Sequence, residues 1–158
     1  MASSEQIAAL VRQQGLHEQE RGWSCGPAAV VNALGALGHR VSEDIVRELA
    51  DTNSVDGTDE AGLLEALEQL GFQAETVWTS DTEGAWNRLV RHLVAGHPAL
   101  LCVDEWDHWV TVVATDGGTV TVFDPAKEQE DTLDEDELVK RWQHPDEARP
   151  YYAILVSP

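Results

Sequence analysis

Long apolar runs are missing from this chain, and so is any segment that could cross a bilayer. A membrane-spanning helix needs about 20 consecutive apolar residues, and no stretch of the sequence approaches that length. Residues 1–15 also lack the basic start and the continuous apolar block of a secretory signal. We therefore expect a cytoplasmic protein without a membrane span.

Positive charge is scarce. The chain has 10 Lys and Arg residues against 29 Asp and Glu residues, which gives a formal net charge of −19. A surface of this sign repels nucleic acid and anionic lipid, so both are poor candidates as partners. A basic or neutral peptide would be attracted more easily.

Repeats, low-complexity tracts and Pro/Gly/Ser-rich linkers are also absent. A chain of 158 residues, 42% of them apolar, has enough material for one core. We expect residues 1–158 to form a single domain. The acidic segment Asp104–His108 has no second cluster at a metal-ligand spacing, and we interpret it as a solvated lip. We therefore expect neither a metal nor a cofactor.

Apolar periodicity predicts helices first and strands second. Helical spacing is followed by period-two alternation, and this order indicates an α+β domain with an antiparallel sheet. The predicted helices are 4–14, a buried helix from Gly26 to a stop at Gly38, 43–50, 59–70 and 84–95, with a further one around Leu138 and Trp142. The predicted strands are 75–79, 98–104, 108–115, 119–124 and 151–156, and the tract 128–137 is predicted to be a charged loop leading into the last helix.

The hairpin at Gly117-Gly118 carries a register constraint. Val110, Val112 and Ala114 are expected on one face of the first strand, and Val120 and Val122 on one face of the second. A plain two-residue turn would pair even positions with odd ones and separate these faces. The pattern therefore requires an odd loop or a β-bulge. In that register His108 and Asp124 share a face as diagonal neighbours, about 7–8 Å apart in the backbone.

Only two cysteines are present, and their contexts differ. Cys102 lies in the apolar run 99–103, where a cysteine is usually a small hydrophobe of the core. Cys25 precedes Gly26-Pro27 at the predicted start of the buried helix. Helix N-termini favour thiolate over thiol, and Gly26 is expected to leave room for a substrate backbone. Cys25 is therefore the candidate nucleophile.

A thiol nucleophile needs a base, and the base needs a partner that fixes its tautomer. His108 and Asp124 are the candidates for these roles, and Gln19 could donate an N–H to an oxyanion. Taken singly, each has an ordinary interpretation: a core or surface histidine, a turn aspartate and a solvated loop glutamine. The other histidines are predicted to lie on the surface without partners; they are His17, His39, His92, His97 and His144.

The order of these residues resembles a known family. The opening Gln19-Glu-Arg-Gly-Trp-Ser-Cys25-Gly-Pro-Ala-Ala, the block from His108 to Val113 and the block Val120-Thr-Val-Phe-Asp124-Pro125 are similar to motifs of the bacteriocin-processing, double-glycine leader peptidases. The resemblance covers roughly residues 17–126. It implies a papain-like fold, with the nucleophile helix packed on a C-terminal antiparallel sheet.

The resemblance also implies roles: Cys25 as nucleophile, His108 as general base, Asp124 as the group that orients it, and Gln19 as oxyanion donor. Many members of the family are domains of peptide exporters, whereas this sequence has no Gly-x-x-x-x-Gly-Lys phosphate loop, so we expect a stand-alone domain. Hydrolysis of a peptide bond in a peptide or protein substrate, through a thioester, is the leading hypothesis. Acyl transfer, deamidation and non-catalytic peptide binding stay open as alternatives.

Overall fold

A computed structural model describes residues 16–53, 57–77, 79, 81–104, 108–127, 129–143 and 151–158 of the chain. The helix predicted over 4–14 lies outside these residues. Among the described residues, no helix has the length and apolar character that a membrane span requires. The helices of the described part are α1 Cys25–Ala36, α2 Glu43–Leu49, α3 Glu60–Gln69, α4 Thr82–Val94 and α5 Glu135–Trp142.

The strands form one antiparallel sheet, in the spatial order β1-β6-β2-β3-β4-β5. Their bounds are β1 Gln73–Val77, β2 Ala99–Val103, β3 His108–Thr115, β4 Thr119–Phe123, β5 Asp131–Asp134 and β6 Ala153–Ser157. The predicted α+β class is confirmed, and the predicted helices and strands within the described residues are present with ends shifted by a few positions.

Helices cover both faces of the sheet, because its central strands are apolar on both sides. In β2 all five residues are buried. Leu101 packs with residues of α4 and α5, whereas Leu100 and Cys102 pack with residues of α1, α2 and α3. Cys102 is 2% exposed, as expected of a core cysteine. The sheet is therefore the middle of three layers.

The β3–β4 hairpin contains the predicted irregularity. Thr115 pairs with Val120 and Ala114 with Thr121, as a two-residue turn at Gly117-Gly118 requires. The register then shifts at Val113, so that Val112 pairs with Val122. The bulge lies within β3 and not at the glycines. Because the bulge comes directly before Ala114 in the strand, the side chain of Ala114 packs beside Val113 in another hydrophobic cluster. The face predicted for Ala114 is therefore wrong.

The charged tract 128–137 contains a strand that the pattern did not predict. β5 pairs with β4 at the edge of the sheet, and its residues alternate between exposed and half-buried. Backbone hydrogen bonds form this edge strand, and they leave little trace in the apolar pattern. The following helix α5 is as predicted, with Leu138 and Trp142 buried. It begins with a capping box between Asp134 and Glu137.

Candidate active site

Cys25 is the first residue of α1, and its side chain is half-buried. The preceding residue, Ser24, makes no side-chain capping bond to the helix. Its hydroxyl instead closes the loop, since Ser24 Oγ accepts from Arg21 N–H and donates to Arg21 O, both at 3.0 Å. The first N–H groups of an α-helix have no intrahelical acceptor. The thiol of Cys25 therefore lies at a helix end whose partial positive charge is not covered by a Ser24 cap.

Gly26 has a different role from the one predicted. A Cβ at this position would lie 3.2 Å from Leu63 Cδ2 and 3.2 Å from Thr58 Cβ. Gly26 therefore allows α1 to pack closely against Leu63 of α3 and against Thr58, which lies two residues before that helix. The prediction that its missing side chain leaves room for substrate is wrong, because that direction is filled by protein.

His108 and Asp124 meet at the end of the β3–β4 pair. Thr111 pairs with Phe123 beyond the bulge, and this register makes His108 a diagonal neighbour of Asp124. The two side chains lean together, so that His108 Nε2 lies 2.5 Å from Asp124 Oδ1. The side chain of Cys25 is near enough to His108 to raise the pKa of the ring. Because Nε2 faces the carboxylate, Nδ1 is the ring nitrogen left for the thiol.

The surroundings of His108 hold it in the protonated form. Burial lowers its pKa, but the hydrogen bond to Asp124 and the charge of that carboxylate, together with the interaction with Cys25, outweigh burial and raise the pKa to about 9. Burial raises the pKa of Asp124, but hydrogen bonds from His108 and from the Ala126 N–H outweigh burial and lower the pKa to about 2. At neutral pH an imidazolium and a carboxylate therefore face each other.

A cation and a second carboxylate, which the sequence pattern did not reveal, support Asp124 from the other side. Arg141 Nη2 in α5 lies 3.4 Å from Asp124 Oδ2. The same guanidinium binds Asp104 twice, with Nε–Oδ1 at 3.1 Å and Nη2–Oδ2 at 2.9 Å. Asp104 N–H also donates to the backbone oxygen of Arg141 at 2.8 Å. The sequence pattern could not predict this contact, because it depends on how α5 packs against the end of β2.

Gln19 lies in the loop before α1, and its backbone is tied to the His–Asp corner. Gln19 N–H donates to the oxygen of Pro125, the residue after Asp124, at 2.8 Å. Its side-chain Nε2 donates to Arg21 O at 2.8 Å. The amide cannot be turned over, because its oxygen would then face the Arg21 carbonyl. A primary amide has two N–H bonds, so a second N–H of Gln19 is not used by Arg21.

The prediction of partnerless surface histidines is wrong for two of them. His17 Nε2 lies 3.0 Å from Glu43 Oε1, a carboxylate that is completely buried. His92 Nε2 donates to Pro98 O at 2.9 Å and Val156 O at 3.0 Å, and burial lowers the pKa of its ring. Both partners are distant in sequence or belong to backbone, so spacing alone does not reveal them. His144 lies outside the described residues.

No group of three or more His, Cys, Asp or Glu side chains suited to a metal ion occurs in the described part of the chain. Within the acidic segment before β3, Asp104 is bound to Arg141. Residues 105–107 fall in one of the gaps between the described ranges. Among the described residues, Asp104 thus pairs with Arg141 and Asp124 with His108.

Comparison with known sequences gives a consistent result. The model of the peptidase C39 family matches residues 13–145. An uncharacterized protein of Methanothermobacter marburgensis is 32% identical over 108 residues, which is 68% of this chain and 69% of that protein. The lactococcin-G-processing and transport ATP-binding protein LagD of Lactococcus lactis is 28% identical over 103 residues, 65% of this chain but only 14% of LagD.

Solved structures share the fold. The peptidase domain of Streptococcus ComA, a bi-functional ABC transporter, superposes with a TM-score of 0.71 at 23% identity, over 91% of this chain and 98% of that domain. A double glycine motif protease from an AMS/PCAT transporter, solved in complex with a leader peptide, has a TM-score of 0.69 at 18% identity, over 90% of each chain. Because the family model spans most of its length, this chain belongs to the peptidase C39 family and is a cysteine peptidase.

Proposed function

We propose that this peptidase cleaves peptide bonds with Cys25 as nucleophile, His108 as general acid and base, and Asp124 as the group that orients His108. The observation that carries the proposal is the hydrogen bond between His108 and Asp124, together with the side chain of Cys25 that acts on the same ring from the N-terminus of α1. A thiolate is stabilised by a helix N-terminus and by an adjacent imidazolium. Both are in place at Cys25.

In the first half of the reaction, the Cys25 sulfur attacks the carbonyl carbon of the scissile bond. The π electrons of the carbonyl move to its oxygen, and the resulting oxyanion needs N–H donors. The backbone N–H of Cys25, at the N-terminus of α1, can serve as one donor, and we assign the second side-chain N–H of Gln19 as the other. The C–N bond then breaks as His108 Nδ1 gives its proton to the leaving amine, which leaves a thioester on Cys25.

In the second half, the neutral His108 takes a proton from a water molecule, which attacks the thioester carbonyl. The C–S bond breaks, the acyl group leaves as a carboxylic acid, and the thiolate–imidazolium pair is restored. Throughout, Asp124 Oδ1 holds Nε2–H of the ring. Arg141 and the Ala126 N–H fix that carboxylate in turn. The ring therefore keeps the tautomer that leaves Nδ1 for the chemistry.

A peptide is the proposed substrate class. One structural neighbour was solved with a leader peptide bound, and the relative LagD is by name a lactococcin-G-processing protein. The chain spans only 14% of LagD, so neither the transport activity nor the cargo of that protein is transferred. Acyl transfer to an amine and deamidation would use the same three residues and differ only in the acceptor or the amide attacked.

Product analysis by mass spectrometry tests the proposal. The protein is incubated in heavy-oxygen water with a synthetic peptide that contains a Gly-Gly leader junction, and separately with a mixed peptide library. We expect cleaved peptides whose new carboxyl group carries one heavy oxygen, and none with Cys25→Ala. Products joined to an added amine, or a mass change of a side-chain amide without cleavage, would instead identify a transferase or a deamidase. Cleavage that survives Cys25→Ala would contradict the proposal.

The pKa of His108 predicts the alkaline limit of activity. Because its pKa is raised from 6.5 to about 9, the imidazolium is present through neutral pH and loses its proton as the pH rises through about 9. The leaving amine then has no proton donor, so kcat/KM is expected to be level around neutrality and to fall above about pH 9. The matched control is His39→Gln, which changes an exposed histidine and should leave the profile unaltered. A fall centred near pH 6.5 would contradict the assignment.

A further inference from the structure

Glu43 is a buried carboxylate that the proposed chemistry does not use. It is the first residue of α2, and its side chain is 0% exposed. Charged side chains are rarely buried in full unless they are paired, because loss of hydration is costly. Its partners therefore indicate why a carboxylate is tolerated at this position.

Those partners come mainly from the loop that carries Gln19. Glu43 Oε1 and Oε2 accept from the backbone N–H of Glu20 at 3.1 and 3.3 Å. Glu43 Oε1 also lies 3.0 Å from His17 Nε2. From its own helix, Arg47 Nε approaches Glu43 Oε2 to 3.4 Å. The carboxylate thus receives the N–H of the residue directly after Gln19.

The peptide at Gln19 is consequently held on two sides. Gln19 N–H donates to Pro125 O at 2.8 Å, next to Asp124, and the following N–H, of Glu20, donates to Glu43. Two consecutive N–H groups with fixed acceptors define the backbone orientation of Gln19 and hence the direction of its side chain. A buried amide completes the support, because Asn32 of α1 accepts from His17 N–H at 2.9 Å and donates to His17 O at 3.1 Å.

We propose that Glu43 is a positioning residue for Gln19: by binding the N–H of Glu20 it fixes the oxyanion-binding loop relative to Cys25. The inference rests on the proposed function, in which Gln19 stabilises the oxyanion. Glu43 acts only through Gln19 and contacts no reacting atom. Its effect should therefore vanish once the Gln19 side chain is removed.

A double-mutant cycle makes this testable, with whichever peptide is cleaved fastest in the product analysis. Gln19→Ala is expected to lower kcat about 100-fold. Glu43→Gln keeps an acceptor but loses the charge, and is expected to lower kcat about tenfold with KM within about twofold. The double variant should match Gln19→Ala within about twofold, because coupled residues are not additive. Glu48→Gln, an exposed glutamate of the same helix, is the matched control and should leave kcat unchanged.

Two further readouts separate positioning from a general loss of structure. The rate at which iodoacetamide modifies Cys25 should be the same in Glu43→Gln as in the unmodified protein, because the Cys25–His108 pair does not depend on Gln19. Glu43→Asp keeps the charge but withdraws the carboxylate from Glu20, so it should show the same kcat loss and the same lack of additivity, even if Glu43→Gln fails to fold.

Failure of the oxyanion role of Gln19 and failure of the positioning role of Glu43 would give different results. A normal kcat in Gln19→Ala would remove the oxyanion role of Gln19 from the proposed function, and this inference with it. A kcat loss in Gln19→Ala that multiplies with that of Glu43→Gln or Glu43→Asp would overturn only the inference. An unchanged kcat in the foldable Glu43 variants would overturn it as well.

Discussion

Replacing Cys25 by alanine is expected to lower kcat roughly 100,000-fold or more, because without the sulfur no thioester can form and the remaining groups supply only binding and oxyanion stabilisation. Cys25→Ser should be nearly as inactive, since a hydroxyl at this helix start is far less ionised than a thiol. Cys25 is only half-buried and lies at the first position of α1. Both variants should therefore keep the fold, and their Kd for the peptide should be close to the KM of the unchanged protein.

Cys102→Ala is the matched control for removal of a thiol. Cys102 is 2% exposed and lies in the sheet layer, so its replacement should leave kcat within about twofold and cost on the order of 1 kcal/mol of unfolding free energy. Steady-state kinetics and urea unfolding measure the two effects. A Cys25→Ala variant with more than a trace of activity, or a Cys102→Ala variant that is folded and inactive, would contradict the assignment of the nucleophile.

Replacement of Asp124 is expected to give two different results. Asp124→Ala removes the acceptor of His108 Nε2–H, and kcat should fall about 100- to 1,000-fold as the ring loses its orientation. Asp124→Asn should be milder, on the order of tenfold. The reason is that Asp124 Oδ1 accepts from both His108 and the Ala126 N–H, so the Ala126 N–H would keep the amide oxygen, and not its NH₂, towards the ring.

The pH profile distinguishes orientation from charge in these variants. Asp124 raises the pKa of His108 by a hydrogen bond and by its charge. Asn retains the first and removes the second, so the alkaline fall of kcat/KM should begin at least about one pH unit lower in Asp124→Asn. The NH₂ group of the asparagine in Asp124→Asn would also face Arg141 Nη2, so the hydrogen bond from Arg141 would be replaced by two donors that face each other. Equal activity of the Asn and Ala variants, or an unmoved alkaline limb, would show that Asp124 does not act through His108.

The sequence predicted the parts of the site that depend on local pattern. Even-numbered apolar residues on both strands of the hairpin required an irregular register, and the bulge at Val113 supplies it. That register is what makes His108 a diagonal neighbour of Asp124 and permits their hydrogen bond. The start of the buried helix at Cys25 was likewise apparent from the apolar run and from Gly26-Pro27.

Contacts between elements far apart in sequence were beyond prediction. Arg141 reaches Asp124 only because the last turn of α5 packs at the end of β2, and an exposed-looking helix such as Glu135–Trp142 does not reveal which of its cations faces inward. Glu43 belongs to a first helical turn, where acidic residues are common, yet it is buried against the Gln19 loop. Gly26 was misinterpreted for the same reason, since its neighbours Thr58 and Leu63 come from another segment.

Limited alkylation tests most directly whether the thiol at residue 25 is activated by the ring at residue 108. The protein and its His108→Ala variant are treated briefly with iodoacetamide at mildly acidic pH, and the labelled cysteine is located by peptide mass mapping. We predict that Cys25 is labelled at least about ten times faster than Cys102, and that this advantage is lost in His108→Ala. Labelling of Cys102 first, or an equal rate at Cys25 in both proteins, would contradict the assignment of Cys25 and His108.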